Sequence, residues 1–196
     1  MAVAGFVREY HNWSWCDGNN DQSYPGYPNN ENKFNVMGWN FDYYYKSLQD
    51  IGVTVCPAIQ RNVPWLVDFN YGKLENIPVS EGESTTNPLS YAEHADHLFQ
   101  YAARYGNTVI DDNLLKLADE QERLTGTNRL HYYENWNEQD KWRKGGDAFF
   151  DPYEYAAMAS ADKDGHLGAM GNTAGVKNAG PNAKLVMGGM AKPDIN

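Results

Sequence analysis

Leu130-His131-Tyr132-Tyr133-Glu134-Asn135-Trp136-Asn137-Glu138-Gln139-Asp140 is the stretch on which the fold turns. It begins apolar and aromatic and ends polar and acidic, so Leu130 to Glu138 reads as a strand whose carboxyl end carries chemistry. The same transition occurs earlier. Gly5 to His11 reads as a strand that runs into Arg8-Glu9-Tyr10-His11-Asn12-Trp13. Val53 to Ile59, with Val53, Val55, Cys56, Ala58 and Ile59, is apolar enough for a strand buried on both faces, although Pro57 weakens its far end. It leads into Gln60-Arg61-Asn62-Val63-Pro64-Trp65. Lys184 to Met190 reads as a fourth strand, ending Gly188-Gly189-Met190.

Helical patterns separate these strands. Phe41, Tyr44, Tyr45, Leu48 and Ile51 recur at helical spacing, so Asn40 to Asp50 reads as a helix with Asn40 as N-cap and Gly52 as its stop. Tyr91 to Tyr105 reads as a second helix, ended by Gly106. Asp112 to Leu124 reads as a third, and Pro152 to Ala161 as a fourth, followed by a Gly-rich loop through Gly175. Cys16 to Lys33 and Tyr71 to Ser90, rich in Asn, Gly, Pro, Asp and Ser, read as loops. Strands separated by helices are the pattern of parallel βαβ units. Four strands are half of the eight that close a (β/α)8 barrel of about 250 residues. The chain therefore reads as one α/β domain over residues 1–196, either a smaller open sheet or part of a barrel.

Composition narrows the partners. The 196 residues include 16 Lys+Arg and 26 Asp+Glu, a net charge of −10. That balance argues against a nucleic-acid binder and against attraction to anionic lipid. No apolar run of about 18 residues exists to span a membrane. Met1 to Phe6 lacks the basic and apolar segments of a secretion signal and does not read as a natural start. The compartment stays open, a secreted or periplasmic parent included. Cys16 and Cys56 read as a free pair rather than a disulfide, since Cys56 sits in an apolar run. Aromatic residues make up 14 per cent of the chain, including six Trp and fourteen Tyr. In an acidic chain this suits either a cleft in which sugar rings stack on aromatic faces or a richly aromatic core edge.

In a barrel, chemistry sits at the carboxyl ends of strands. Glu138 there suits a general acid, because a glycosidic oxygen leaves poorly unless protonated. Asn137 beside it can bond a sugar hydroxyl. Glu134, four residues earlier on an extended strand, would be roughly 13 Å away at about 3.3 Å per residue. A retaining pair of carboxyls needs about 5 Å and an inverting pair no more than about 9.5 Å, so Glu134 reads as a barrel-interior residue. Glu9 and Asp140 are not excluded by spacing. Of Trp13, Trp15, Trp65, Trp136 and Trp142, about two or three are expected to line a sugar groove and the rest to pack beneath loops. His94 and His97 read as a solvated helix face rather than a metal site. Asp162, Asp164 and His166 read as a structural turn rather than a calcium loop. No metal or cofactor site is indicated, since Gly168, Gly171 and Gly175 lack the Lys-Ser/Thr of a phosphate cradle.

Trp136-Asn137-Glu138-Gln139 resembles the Trp-Asn-Glu-Pro of clan A glycoside hydrolases, especially the β-xylosidase and α-L-iduronidase type, with Gln139 in place of Pro. Arg104-Tyr105-Gly106 looks like the helix ending ahead of that motif, although the helix read at Asp112 to Leu124 is a departure. Arg8-Glu9-Tyr10-His11 resembles the Arg- and His-bearing end of an early barrel strand. The resemblance implies a partial (β/α)8 TIM barrel holding barrel strands two to five. Glu138 would be the acid/base, with Asn137, Arg8, His11, Trp13, Trp65, Trp136 and Trp142 binding an oligosaccharide or polysaccharide. It also implies that the nucleophile, a second Glu near the end of strand seven, lies beyond Asn196. The fragment would then be inactive alone, and its open sheet edges would drive self-association. A non-catalytic carbohydrate-binding protein with a barrel cleft is the alternative, and an unrelated small α/β domain a third reading.

Overall fold

The computed structural model describes residues 4–19, 28–35, 39–67, 73–144 and 146–192. Part of each predicted loop, at 20–27 and at 71–72, lies outside the described residues. Four strands form one sheet: β1 (Phe6–Asn12), β2 (Thr54–Gln60), β3 (Tyr132–Asn135) and β4 (Lys184–Met187). Their order is β1-β2-β3-β4 and every pair is parallel, with Tyr10 opposite Ala58, Ala58 opposite Glu134, and Glu134 opposite Val186. The connections run through α1 (Phe41–Asp50), α2 (Ala92–Tyr105), α3 (Pro152–Asp164) and the single turn α4 (Val176–Ala179). This is the α/β pattern that the alternation predicts, and all four strands share one polarity, so their carboxyl ends meet on one edge.

Local chemistry sets the helix ends. The Asn40 side chain accepts from the Tyr43 N–H, and Asp151 with Glu154 forms a complete capping box at the start of α3, where Pro152 fills the first position. Gly165 ends α3 in the left-handed conformation, three residues later than the sequence pattern suggests.

Burial separates the two faces of the sheet. Val55, Ile59 and Tyr133 pack with Phe41, Tyr45, Leu98, Phe99 and Tyr101 in the main core. On the opposite face Phe6 (54 %), Tyr10 (51 %) and Tyr132 (39 %) stay exposed, and Phe6 and Tyr132 touch edge to face. The helices therefore cover one face; on the other the centre, with Cys56, Ala58 and Glu134, is buried and the flanking aromatic rings are exposed.

Two expectations need correction. The segment 112–124 is not a helix: a short 3-10 turn, Asp112–Leu114, gives way to irregular chain. Its backbone is claimed by long-range partners, since Asn32 N–H donates to Lys116 O, Ala118 N–H donates to Asn32 O, and the Lys116 N–H is taken by the Gln100 side chain. Tertiary bonding overrides propensity here. The second correction concerns α2, where every residue from His94 to Tyr105 is buried, so His94 and His97 are not on a solvated face. Some of its polar atoms are matched instead: His94 Nδ1 lies 2.9 Å from Asp162, His97 Nδ1 lies 3.0 Å from Asn32, and Arg104 bonds Asp42, whereas Nε2 of both histidines is buried without a hydrogen-bond partner among the described residues.

Candidate functional site

The strand ends converge on a cavity of about 430 Å³. Asn12 and Gln60, joined by a 2.9 Å hydrogen bond from Gln60 Nε2 to Asn12 Oδ1, form part of its floor, with Tyr10 and Trp15 alongside. Asn137 and Glu138 enter it from the end of β3.

The turn that delivers Glu138 departs from ordinary backbone. β3 stops at Asn135 rather than continuing to Glu138, because Trp136 (φ 71) and Glu138 (φ 50) both adopt left-handed conformations. Non-glycine residues there cost energy, and such residues concentrate at functional sites. Bonds on both sides hold the turn. Trp136 N–H donates to Ile59 O, and Glu138 N–H donates to Gly189 O at 2.7 Å. Gly189 N–H in turn donates to the Glu134 carboxylate at 2.7 Å. Glu134 and Glu138 thus flank one glycine, and the spacing extrapolated along a straight strand does not apply. Gln139, which replaces the proline of the resembled motif, gives its amide to Gly188 O at 2.9 Å and so ties β3 to β4.

Arg8 braces Asn137 from outside the cavity lining. Its guanidinium grips Glu134 through two bonds of 2.5 and 2.7 Å, and the same Nη2 donates to Asn137 Oδ1 at 2.8 Å. The bond to Glu134 holds the guanidinium firmly charged. With Oδ1 occupied, the Asn137 amide nitrogen is the group left to donate to a ligand. Arg8 therefore sits behind Asn137 as a positioning residue rather than as a wall of the cavity.

One wall is an ionic cluster that the sequence gives no local sign of. Glu75 is approached by Arg61 at 3.3 Å, Lys141 at 3.4 Å and Lys144 at 3.5 Å. All four residues line the cavity with Glu138. Burial pushes the Glu75 carboxyl up, but Lys141, Lys144 and Arg61 outweigh it and hold the group below the ordinary glutamate range. Burial lowers the Lys141 ammonium, against the pull of Glu75. Arg61 itself is left-handed (φ 61), which turns the chain out of β2 toward this cluster.

Five of the proposed ligand-binding residues lie elsewhere. His11 is fully buried on the helix side of β1, against Tyr101 and Phe41, where burial drops its pKa to about 3. Trp13 is fully buried because its indole N–H donates to the buried Asp17 carboxylate. Trp136 packs on His94 and Phe150 with 1 % exposure. None of the three can stack on a sugar. Trp65 lines a separate, wider cavity of about 620 Å³ with Lys73, Glu81 and Asp147. Trp142 is 72 % exposed and rests edge-on against Phe149, outside both cavities. Trp15, stacked over Phe41, is instead the tryptophan of the Glu138 cavity.

Asp162 and His166 are structural, the first paired with His94 and the second with Ser160. Among the described residues no group of three or more His, Cys, Asp or Glu is placed to hold a metal, and no helix is long and apolar enough to cross a membrane. Comparison of the chain with protein families, curated proteins and solved structures returns no match.

Proposed function

We propose that this chain is part of a (β/α)8 barrel glycoside hydrolase, in which β1 to β4 are barrel strands two to five and Glu138 is the acid/base. The observation that carries the reading is the Trp136-Asn137-Glu138 turn. Two left-handed residues and a bond to Gly189 deliver a carboxyl group into a cavity at the strand ends, beside an amide oriented by Arg8. Absence of a helix at 112–124 also removes the one topological departure from the resembled family. In the reaction, Glu138 gives its proton to the glycosidic oxygen as the bond to the anomeric carbon breaks, and Asn137 holds a neighbouring hydroxyl.

A retaining reaction also needs a carboxylate nucleophile about 5 Å away. Glu75 faces the same cavity, but its oxygens are engaged by three cations, and Glu134 is engaged by Arg8 and Gly189. Neither is available to attack, so the chain by itself carries one half of a catalytic pair and turns over no natural glycoside. That engagement is also what favours the second reading, a carbohydrate-binding protein without catalysis.

Azide separates the two readings. It can replace a missing nucleophile when the substrate is an activated aryl glycoside. Azide attacks the anomeric carbon, the carbon–oxygen bond breaks, and Glu138 protonates the departing aryloxide. The expected result is azide-dependent release of the phenol, with Glu138→Gln slowing the less acidic phenols about 100-fold and the most acidic ones little, since only the former need a proton to leave. Sugar binding with no azide-dependent turnover supports the binding protein. No binding of any glycoside sinks both.

A further inference from the structure

Gly188 and Gly189, which follow β4, have every backbone polar group engaged. Gly188 O accepts from the Gln139 amide at 2.9 Å, Gly189 N–H donates to Glu134 at 2.7 Å, and Gly189 O accepts from Glu138 N–H at 2.7 Å. The fourth group, Gly188 N–H, donates at 2.9 Å to the Tyr155 hydroxyl, which itself donates at 3.0 Å to Asn135 O. Tyr155 belongs to α3, and its oxygen meets the chain where the pairing of β3 with β4 ends, at Asn135 opposite Met187. One hydroxyl thus joins β3, β4 and a helix at the root of the turn that carries Glu138. A phenol has one proton and free lone pairs, so it donates and accepts at once. Burial pushes the Tyr155 hydroxyl up to about 12, which keeps that proton in place at neutral pH. The ring reaches the same turn by packing. Tyr155 meets Phe150 edge to face at 6.1 Å, Phe150 meets Trp136 at 5.5 Å, and Phe150 N–H donates to Gln139 O at 2.9 Å.

We infer that Tyr155 is a positioning residue for Glu138, acting through Gly188 and Gly189 from outside the cavity lining. The inference rests on the glycoside reading and adds the residue that aims its acid. Left-handed backbone at Trp136 and Glu138 is costly and persists only where the surroundings hold it. Of the groups that hold Gly188 and Gly189, those of Glu134, Glu138 and Gln139 belong to β3 and its turn, and move with them. Tyr155 comes from a separate element, which the Asp151–Glu154 capping box pins at its first turn. It is therefore the fixed point of the junction. Without the hydroxyl, Gly188 N–H loses this acceptor, β4 is free to shift on β3, and the Glu138 N–H shifts with Gly189 O. A proton donor misplaced by about 1 Å loses much of its effect on rate.

Tyr155→Phe keeps the ring and removes the clasp. Amide hydrogen exchange read by NMR tests it without a substrate. In the native chain Gly188 and Glu138 are expected to show protection within about threefold of each other, as one opening unit. In Tyr155→Phe both should lose about tenfold of it, while Gly106, bonded to Ala102 O in α2, keeps its own. Loss at Gly188 alone overturns the inference. Should the variant unfold and Gly106 lose protection too, the native chain decides: Gly188 and Glu138 more than about tenfold apart overturn it. The azide-dependent reaction supplies the second readout. A misplaced acid slows only leaving groups that need a proton, so Tyr155→Phe should slow the less acidic phenols about tenfold and the most acidic within about twofold. Equal slowing of both marks a general loss of structure and overturns the positioning role. A native chain with no azide-dependent turnover removes the glycoside reading, and the exchange result still decides whether Tyr155 holds the turn.

Discussion

At the scale of single residues, buried acids are distributed on both sides of the sheet and behave differently. Arg8 and the cations around Glu75 keep two carboxyl groups engaged at the strand ends. Glu9, on the helix side, pairs with no cation among the described residues: burial raises its pKa to about 7, opposed by a hydrogen bond from Tyr45. A carboxyl whose folded pKa is raised binds its proton more tightly folded than unfolded. Its contribution is fully present below the unfolded value near 4.5 and is lost as pH rises through about 7. Glu9→Gln removes that loss while keeping an acceptor for Tyr45. Urea unfolding should show the variant gaining about 1–2 kcal/mol on the native protein between pH 5 and pH 8, after discounting for the partial exposure of Glu9. His11, depressed to about 3, pulls stability the other way at low pH. Because His11 is common to both proteins, it cancels in the difference. A constant gap across that range would show that Glu9 is not buried as described.

Among the elements, the junction of β3 and β4 is the most tightly specified. A Cβ on Gly188 would sit 2.6 Å from Asn135 O, 2.8 Å from Gln139 Oε1 and 2.9 Å from Trp136 O. Two of these are backbone atoms and cannot swing aside. Gly188→Ala should therefore cost about 2–3 kcal/mol in thermal or urea unfolding and should abolish the azide-dependent reaction even where the protein stays folded. Wild-type stability in this variant would mean that β4 does not approach β3 so closely. The four strands, the cap at Asn40 and the position of Glu138 were legible because each rests on local pattern: apolar runs, a capping residue, a polar break at a strand end. The false helix at 112–124 had the right periodicity and lost its backbone to Asn32, which lies about 80 residues away. The Glu75 cluster was invisible for a similar reason. The three cations lie 14 to 69 residues from Glu75 in the chain, and only the fold makes them its neighbours. Trp13 and Trp136 were misjudged because nearness to a strand end does not say which side of the sheet a ring takes.

For the whole molecule, the consequence of one-sided helix cover is an open sheet. β1 and β4 each present an unpaired edge within the described residues, and the uncovered face carries Phe6, Tyr10 and Tyr132. Such edges and faces pair with other chains. Light scattering across a concentration series should show mass rising above one chain, and Phe6→Glu with Tyr132→Lys should shift it back. A single-chain mass at every concentration would count against this. The link between Gly189 and Glu138 gives such pairing a chemical meaning. A strand docked along β4 would end beside Gly189, whose carbonyl accepts the Glu138 N–H. The turn that carries Glu138 is thus tied by one backbone hydrogen bond to the rim of the sheet, and rim and turn are expected to order together.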